Sequence, residues 1–105
     1  MIEKQQAENI VNRLRTVEAA LSAPDAAADQ KRYRDLVREH ASLRKLSDLA
    51  SAYFKLIATL EDARKIVDDP AADADFRELA QAEAEAAEAA LPKAERSLRL
   101  ALMPP

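Results

Sequence analysis

The sequence contains no glycine, no cysteine and no tryptophan, and aromatic residues make up only 4% of it. Without glycine, neither a phosphate-binding P-loop nor a dinucleotide-binding fingerprint can be present, because both need glycine where the backbone approaches the phosphates. Without cysteine, disulfide bonds, thiolate nucleophiles and cysteine-ligated metal sites are excluded. These absences remove several large classes of enzyme.

Signals for secretion and for membrane insertion are also missing. The opening residues, MIEKQQAENI, have no apolar core of the kind that a signal peptide needs, and no apolar run approaches the length of a membrane span. The net charge of −3 argues against nucleic-acid binding driven by the overall charge. We therefore expect a cytoplasmic chain without a membrane segment and without a direct nucleic-acid site.

Helix-forming residues dominate what is present. The 105 residues are 49% hydrophobic and 33% charged, with many Ala, Glu, Leu, Arg and Lys, a composition typical of long helices or coiled coils. No run of alternating β-branched residues between turn residues marks a strand. The sequence predicts a single all-α domain over residues 1–105, with helices over about 2–22, 27–68 and 75–102.

The longest predicted helix is the centre of this arrangement. Residues 29–67 contain neither glycine nor proline, and their apolar residues recur at steps of three and four, which marks one face of a helix. After Leu46 the apolar stripe widens, as it does in a helix that touches two neighbours. We predict an elongated antiparallel three-helix bundle, or coiled-coil hairpin, with a long central helix. The stripe comprises Tyr33, Leu36, His40, Leu43, Leu46, Ala50, Tyr53, Ile57, Leu60, Ala63 and Val67.

Turn and capping residues predict where the helices begin and end. The first helix should stop before Pro24, because proline disfavours helical geometry at the preceding residue. Asp25 and Asp29 are both possible N-caps of the second helix, and we place its start between them. Asp75 followed by Glu78 predicts a capping box at the start of the third.

An alanine-rich face runs along the third helix. Small residues allow close approach to a neighbouring helix but bury little apolar area each. We therefore expect large apolar side chains to anchor this helix, namely Phe76, Leu79, Leu91, Leu98 and Leu102. Pro92 removes a backbone hydrogen bond and predicts a kink, or a break into two pieces, near Leu91.

No constellation of catalytic residues is recognisable. The only histidine, His40, lies on the apolar stripe, where a packed and hydrogen-bonded core residue is the usual outcome. A helical di-metal site would need paired Glu-x-x-His units, but Val37 stands three residues before His40 and there is no second histidine. We predict no catalytic, metal-binding or cofactor-binding residues, and no cofactor.

Two charged clusters remain as candidate partner contacts. The first consists of cations on one side of the second helix: Lys31, Arg34, Arg38 and Lys45. They could form a solvated face paired with Asp35 and Glu39 at helical spacing, or a contact with RNA or an acidic protein. The second consists of aspartates in and after the following turn: Asp68, Asp69, Asp73 and Asp75. These could serve solubility alone or dock a basic protein.

Four segments, in order along the chain, resemble the N-terminal domain of bacterial peptide chain release factor 1. They are ADQKRYRDLVREHASLRKL, LEDARKIVDDP, DFRELAQAEAEAAE and SLRLALMPP. The likeness covers essentially the whole chain but contains no catalytic signature. Two features depart from the family: the turn after Pro70 is a few residues longer than is usual there, and Pro92 interrupts a helix that is usually continuous.

The resemblance implies a translation termination factor that reads UAA or UAG and triggers hydrolysis of peptidyl-tRNA. In that family the Gly-Gly-Gln loop and the Pro-x-Thr motif belong to later domains, which implies that this chain is a fragment inert in hydrolysis. The resemblance further implies contact with the ribosomal stalk base and a docking surface for the release-factor glutamine methyltransferase. We expect a monomer. The alternative is a coiled-coil adaptor or oligomerisation module unrelated to translation, which would form a dimer through residues 53–60.

Overall fold

The computed structural model describes residues 2–104 and contains three α-helices: α1 (Lys4–Ser22), α2 (Gln30–Val67) and α3 (Ala74–Leu102). A short 3₁₀ turn, Ala26–Ala28, lies between α1 and α2. Residues 2–104 include no β-strand. The all-α fold class with a long central helix is confirmed. Met1 and Pro105, where the predicted domain begins and ends, lie outside the described residues.

Helix α1 begins at Lys4 instead of about residue 2. The Gln6 side chain accepts a hydrogen bond from the backbone N–H of Glu3 at 3.3 Å, which satisfies one of the N–H groups that a helix start leaves unpaired. The helix ends at Ser22, and Ala23 is extended with φ −65° and ψ 143°. That conformation is the one expected for a residue that precedes proline.

Only one of the two candidate N-caps of α2 takes that role. The Asp29 carboxylate accepts a hydrogen bond from the backbone N–H of Arg32 at 3.1 Å, so α2 begins immediately after it at Gln30. Asp25 instead precedes the 3₁₀ turn, where its carbonyl accepts from the N–H of Ala28 at 3.0 Å. The predicted start between the two aspartates was therefore too early. From Gln30, α2 continues without a break for 38 residues.

The predicted capping box at Asp75 is wrong, because the helix begins one residue earlier. Asp73 is the N-cap of α3, and its carboxylate accepts from the backbone N–H of Asp75 at 3.1 Å. Helix α3 then continues through Pro92 to Leu102, so the alternative of two separate pieces is also wrong. A proline removes one backbone hydrogen bond, while the turns on either side keep theirs. The kink stays a prediction.

The chain forms two compact units, one up to Ala50 and one from Ser51 onward, and α2 contributes to both. The first unit buries one stripe of α1, made by Ile10, Leu14 and Val17, together with Ala26 of the 3₁₀ turn. Steps of four and three place the α1 residues on one helix face. Whether the chain behaves as one domain stays a prediction.

The second unit is held together by the alanine face of α3. Its core cluster joins Leu60 and Ala63 of α2 to three alanines of α3: Ala80, Ala84 and Ala87. The prediction that large side chains anchor α3 holds for Leu98, which is 1% exposed, and for Leu91, which packs against the core cluster. It is wrong for Phe76 and Leu79. Leu79 is turned about 100° from its neighbour Ala80, and Phe76 lies in the first turn at the edge of the alanine face.

Candidate interaction surfaces

His40 occupies a boundary position instead of the predicted core. Its Nε2 lies 3.2 Å from an Oε2 atom of Glu18 on α1, and its side chain is 31% exposed. The histidine is thus hydrogen-bonded as expected, but it is not buried, because the ring extends from α2 toward an exposed carboxylate. Within residues 2–104, no group of three or more His, Cys, Asp or Glu side chains is placed to hold a metal ion.

The exposed cations of α2 form what we call the basic surface: Lys31, Arg34, Arg38 and Lys45. Successive steps of three, four and seven residues align them along one side of the helix, and the line is about 21 Å long at 1.5 Å per residue. Val37, three residues after Arg34, lies beside this line and is 45% exposed. The basic surface is therefore a straight positive ridge next to one accessible apolar side chain.

Pairing within α2 does not neutralise this ridge. Glu39, one of the two predicted partners, forms an ion pair with Arg13 of α1 instead. In the part of the chain that the structure describes, none of the four cations forms an ion pair, and neither does Asp35. The expected pairing with Asp35 and Glu39 is therefore wrong, but the four cations are exposed, as in a solvated face. Contact of these cations with a partner stays a prediction.

The geometry of the Arg13–Glu39 pair explains why Glu39 is unavailable. Arg13 donates from Nε to Oε2 and from Nη2 to Oε1 of Glu39, both at 2.7 Å. Two parallel hydrogen bonds between a guanidinium and a carboxylate are the strong form of this interaction. The hydrogen bond from Arg13 lowers the pKa of Glu39, and the same bond raises the pKa of Arg13.

The four aspartates after α2 form what we call the acidic surface: Asp68, Asp69, Asp73 and Asp75. All are exposed, but two also stabilise the backbone. Asp69 accepts from the N–H of Ala71 at 2.9 Å, and Asp73 caps α3. The carboxylates of Asp68 and Asp75 have no hydrogen-bond or ion-pair partner among the described residues. These two carboxylates are the candidate partner contacts of the acidic surface.

Sequence reasoning missed an apolar pair next to the acidic surface. Phe76 is 53% exposed and Leu79 is 65% exposed, although both were expected to anchor α3. A helical wheel offers one signal: Asp75 and Glu83 stand one turn to either side of Leu79. A side chain between two carboxylates on the same helix face points toward solvent more often than into a core.

A shallow groove of about 380 Å³ follows one side of α1, lined by Ala7, Glu8, Val11, Asn12 and Arg15. All of these residues belong to a single helix, so the groove is open to solvent along its length. Ligand pockets normally bury most of a ligand between several elements. The groove therefore lacks the enclosure between several elements that a small-molecule site needs.

Comparison with known proteins assigns the family. The family model described as the PCRF domain matches residues 10–105. The chain belongs to the PCRF domain family. Every residue of the basic surface and of the acidic surface lies within the matched range.

Several relatives of this PCRF domain are named Peptide chain release factor 1. The protein of Roseobacter denitrificans is 38% identical over 104 residues, which cover 99% of this chain and 28% of the relative. The protein of Treponema denticola is 31% identical over 102 residues, which cover 97% of this chain and 28% of the relative. The protein of Solidesulfovibrio magneticus is 38% identical over 100 residues, which cover 92% of this chain and 27% of the relative. The chain thus spans just over a quarter of the length of these relatives. No solved structure matches it.

The resemblance to bacterial peptide chain release factor 1, first seen in four short segments, is confirmed by these matches. Residues 2–104 of the PCRF domain include no helix that is both long enough and apolar enough to span a lipid bilayer.

Proposed function

We propose that this PCRF domain is the interaction arm of a translation termination factor and that it contacts the ribosome. The observation that carries the proposal is the 38% identity to a protein named Peptide chain release factor 1 over 99% of the chain. That match covers only 28% of the relative. On this proposal the arm is one part of a longer factor that works in the cytoplasm.

Stop-codon reading and hydrolysis are assigned to the rest of such a factor. The chain contains no glycine, so a Gly-Gly-Gln loop has to lie outside it. Recognition of UAA and UAG, and the release of the peptide from peptidyl-tRNA, then need the parent protein. On this proposal the chain alone is a monomer that hydrolyses nothing.

The charged surfaces are the proposed contact regions. We assign the stalk base of the ribosome as the main partner and the release-factor glutamine methyltransferase as a second one. The basic surface offers four unpaired cations to RNA or to acidic protein groups, while the acidic surface offers Asp68 and Asp75 to basic groups. Charged, exposed and unpaired side chains of this kind steer encounters and determine orientation more than they add affinity.

The alternative of a coiled-coil adaptor requires an apolar dimer surface that is buried within the single chain. A dimer through residues 53–60 would need those apolar side chains to be accessible. Tyr53 is only 3% exposed and Leu60 only 8% exposed within the single chain. The ring of Tyr53 is also engaged edge-to-face with Phe54, with the ring centroids 5.0 Å apart.

Site-specific photo-crosslinking tests the proposed contact, because it captures weak complexes. A photoreactive residue would replace Arg38 in the basic surface, Asp68 in the acidic surface, or the exposed Ala19 of α1 as a control. With purified ribosomes, we expect crosslinks to the stalk base from position 38 or 68 and none from position 19. No crosslink from either surface, or equal crosslinking from position 19, would contradict the proposal. Peptide release by the chain alone would overturn the division of roles.

A further inference from the structure

We propose that Phe76 and Leu79 form the anchor of a docking surface for a basic amphipathic helix of a partner protein. We call this surface the α3 patch; it consists of the two apolar side chains and the carboxylates of Asp75, Glu78 and Glu83. The inference deepens the proposed role of the acidic surface and rests on that surface being a contact region.

The first observation behind the α3 patch is the exposure of its two apolar side chains. Phe76 is 53% exposed and Leu79 is 65% exposed, and their spacing of three residues places them on neighbouring positions of the helix surface. The core beneath closes without them, since Ala80 is 2% exposed and Ala84 is 3% exposed. The two side chains thus form an adjacent apolar pair that is accessible to a partner, and the charges around the pair determine which partner fits.

The second observation is the strongly negative charge around Phe76 and Leu79. Between residues 68 and 85 the chain has one cation, Arg77, and seven carboxylates: Asp68, Asp69, Asp73, Asp75, Glu78, Glu83 and Glu85. Across residues 2–104, the three carboxylates of the α3 patch form no ion pair. An apolar anchor within a negative rim fits a partner that presents apolar side chains between cations.

The same charges favour a protein partner of this kind over two other occupants. The phosphates of RNA would be repelled by the unpaired carboxylates. A second copy of the chain would bring the identical acidic rim against this one, and like charges in an interface are unfavourable. The exposed face also continues along α3 from Leu79 through the small residues Ala86 and Ala90. That leaves room for an approaching helix to lie along it.

Two synthetic peptides of equal length and charge test the α3 patch against the full chain. One carries Lys and Leu in an amphipathic helical pattern, and the other has Ser in place of each Leu. We expect calorimetry to show binding of the Lys/Leu peptide that is at least about tenfold tighter than binding of the Lys/Ser peptide. We expect NMR shifts on adding the Lys/Leu peptide to centre on Phe76 and Leu79.

Variants of the chain distinguish binding through the apolar anchor from binding through charge alone. The double variant Phe76→Ala/Leu79→Ala should weaken Lys/Leu binding by about tenfold or more. The double variant Leu100→Ala/Met103→Ala, which removes two side chains that are 68% and 65% exposed on and just after α3, should leave it unchanged. Charge reversal at Asp75 and Glu83 should weaken it as well. Circular dichroism verifies that each variant keeps its helices.

Two outcomes would overturn the inference: equal binding of the two peptides, or a Phe76→Ala/Leu79→Ala variant that binds as the unaltered chain does. The first would mean that only charge is recognised, and the second that Phe76 and Leu79 are not the anchor. Failure of the proposed function has a separate signature, since it would abolish crosslinking to ribosomes while leaving the peptide results as expected.

Discussion

Arg13 of α1 donates two hydrogen bonds to the Glu39 carboxylate of α2, both at 2.7 Å. Arg13 lies as far before the end of α1 as Glu39 lies after the start of α2, as two helices that reverse direction require. The pair therefore joins the helices of the first unit.

The first prediction concerns the pH dependence of this pair. Because the hydrogen bond from Arg13 lowers the pKa of Glu39 below its ordinary value of 4.5, the folded state favours the ionised carboxylate. The resulting stability is fully present above that ordinary value and is lost as the pH falls through the lowered pKa. Glu39→Gln should be slightly less stable than the unaltered chain at neutral pH, and the difference should vanish in acid. Urea unfolding across this pH range measures it.

Glu8→Gln is the matched control, since Glu8 is an exposed carboxylate of α1 without an ion-pair partner among the described residues. It should change stability little at neutral pH. A Glu39→Gln effect that stays constant from neutral to acidic pH would mean that the ion pair does not act through ionisation.

The second prediction compares two leucines of α3. Leu98 is 1% exposed and Leu100 is 68% exposed. Leu98→Ala should lower the free energy of unfolding by about 2–5 kcal/mol, because it removes buried apolar area and leaves a cavity. Leu100→Ala should change it by less than about 0.5 kcal/mol. Chemical denaturation of both variants measures this, and equal losses would contradict the placement of the core.

The third prediction separates two neighbouring aspartates at the start of α3. Asp73→Ala removes the side chain that accepts from the N–H of Asp75, and it should cost about 1 kcal/mol. Asp75→Ala removes only a favourable charge in the first turn, worth about 0.5 kcal/mol or less. Urea denaturation decides between them. A larger loss at Asp75 would restore the capping box that the sequence pattern favours.

The fourth prediction concerns a buried donor. The Nε of Arg77 is buried without a hydrogen-bond acceptor among the described residues, and such a group typically costs about 1–3 kcal/mol. Lysine has a methylene at that position and keeps the charge, so Arg77→Lys should raise the free energy of unfolding by about 1 kcal/mol. Arg99→Lys is the control and should bring no gain, since the Nε of Arg99 donates to Glu95 at 3.1 Å. A loss of stability in Arg77→Lys would contradict the assignment.

The length of α2 was predictable from the sequence because its evidence is local. Neither glycine nor proline interrupts residues 30–67, and apolar steps of three and four persist to Val67. The start of α3 was not predictable, because Asp73 and Asp75 are equally good caps by residue type. The path of the preceding turn selects between them.

Two features of the candidate surfaces depend on tertiary structure and were at most partly predictable. The sequence predicts that the alanine face approaches a neighbouring helix, but periodicity does not show that the core closes on that face without Phe76 and Leu79. Likewise, the ion pair of Glu39 depends on the position of α1, because its partner Arg13 lies on that helix. The charged clusters were recognisable from composition, but the groups left unpaired within them were not.

The central claim, that this PCRF domain is the ribosome-binding arm of a termination factor, is tested most directly by grafting. This chain would replace the matching 28% of the Roseobacter denitrificans relative, and stop-codon-dependent peptide release would be compared with the same factor lacking that part. An arm raises the effective concentration of the factor at its site. The account predicts that the graft restores release at low factor concentration and leaves the rate at saturation unchanged. A folded graft that performs no better than the factor without an arm would contradict it.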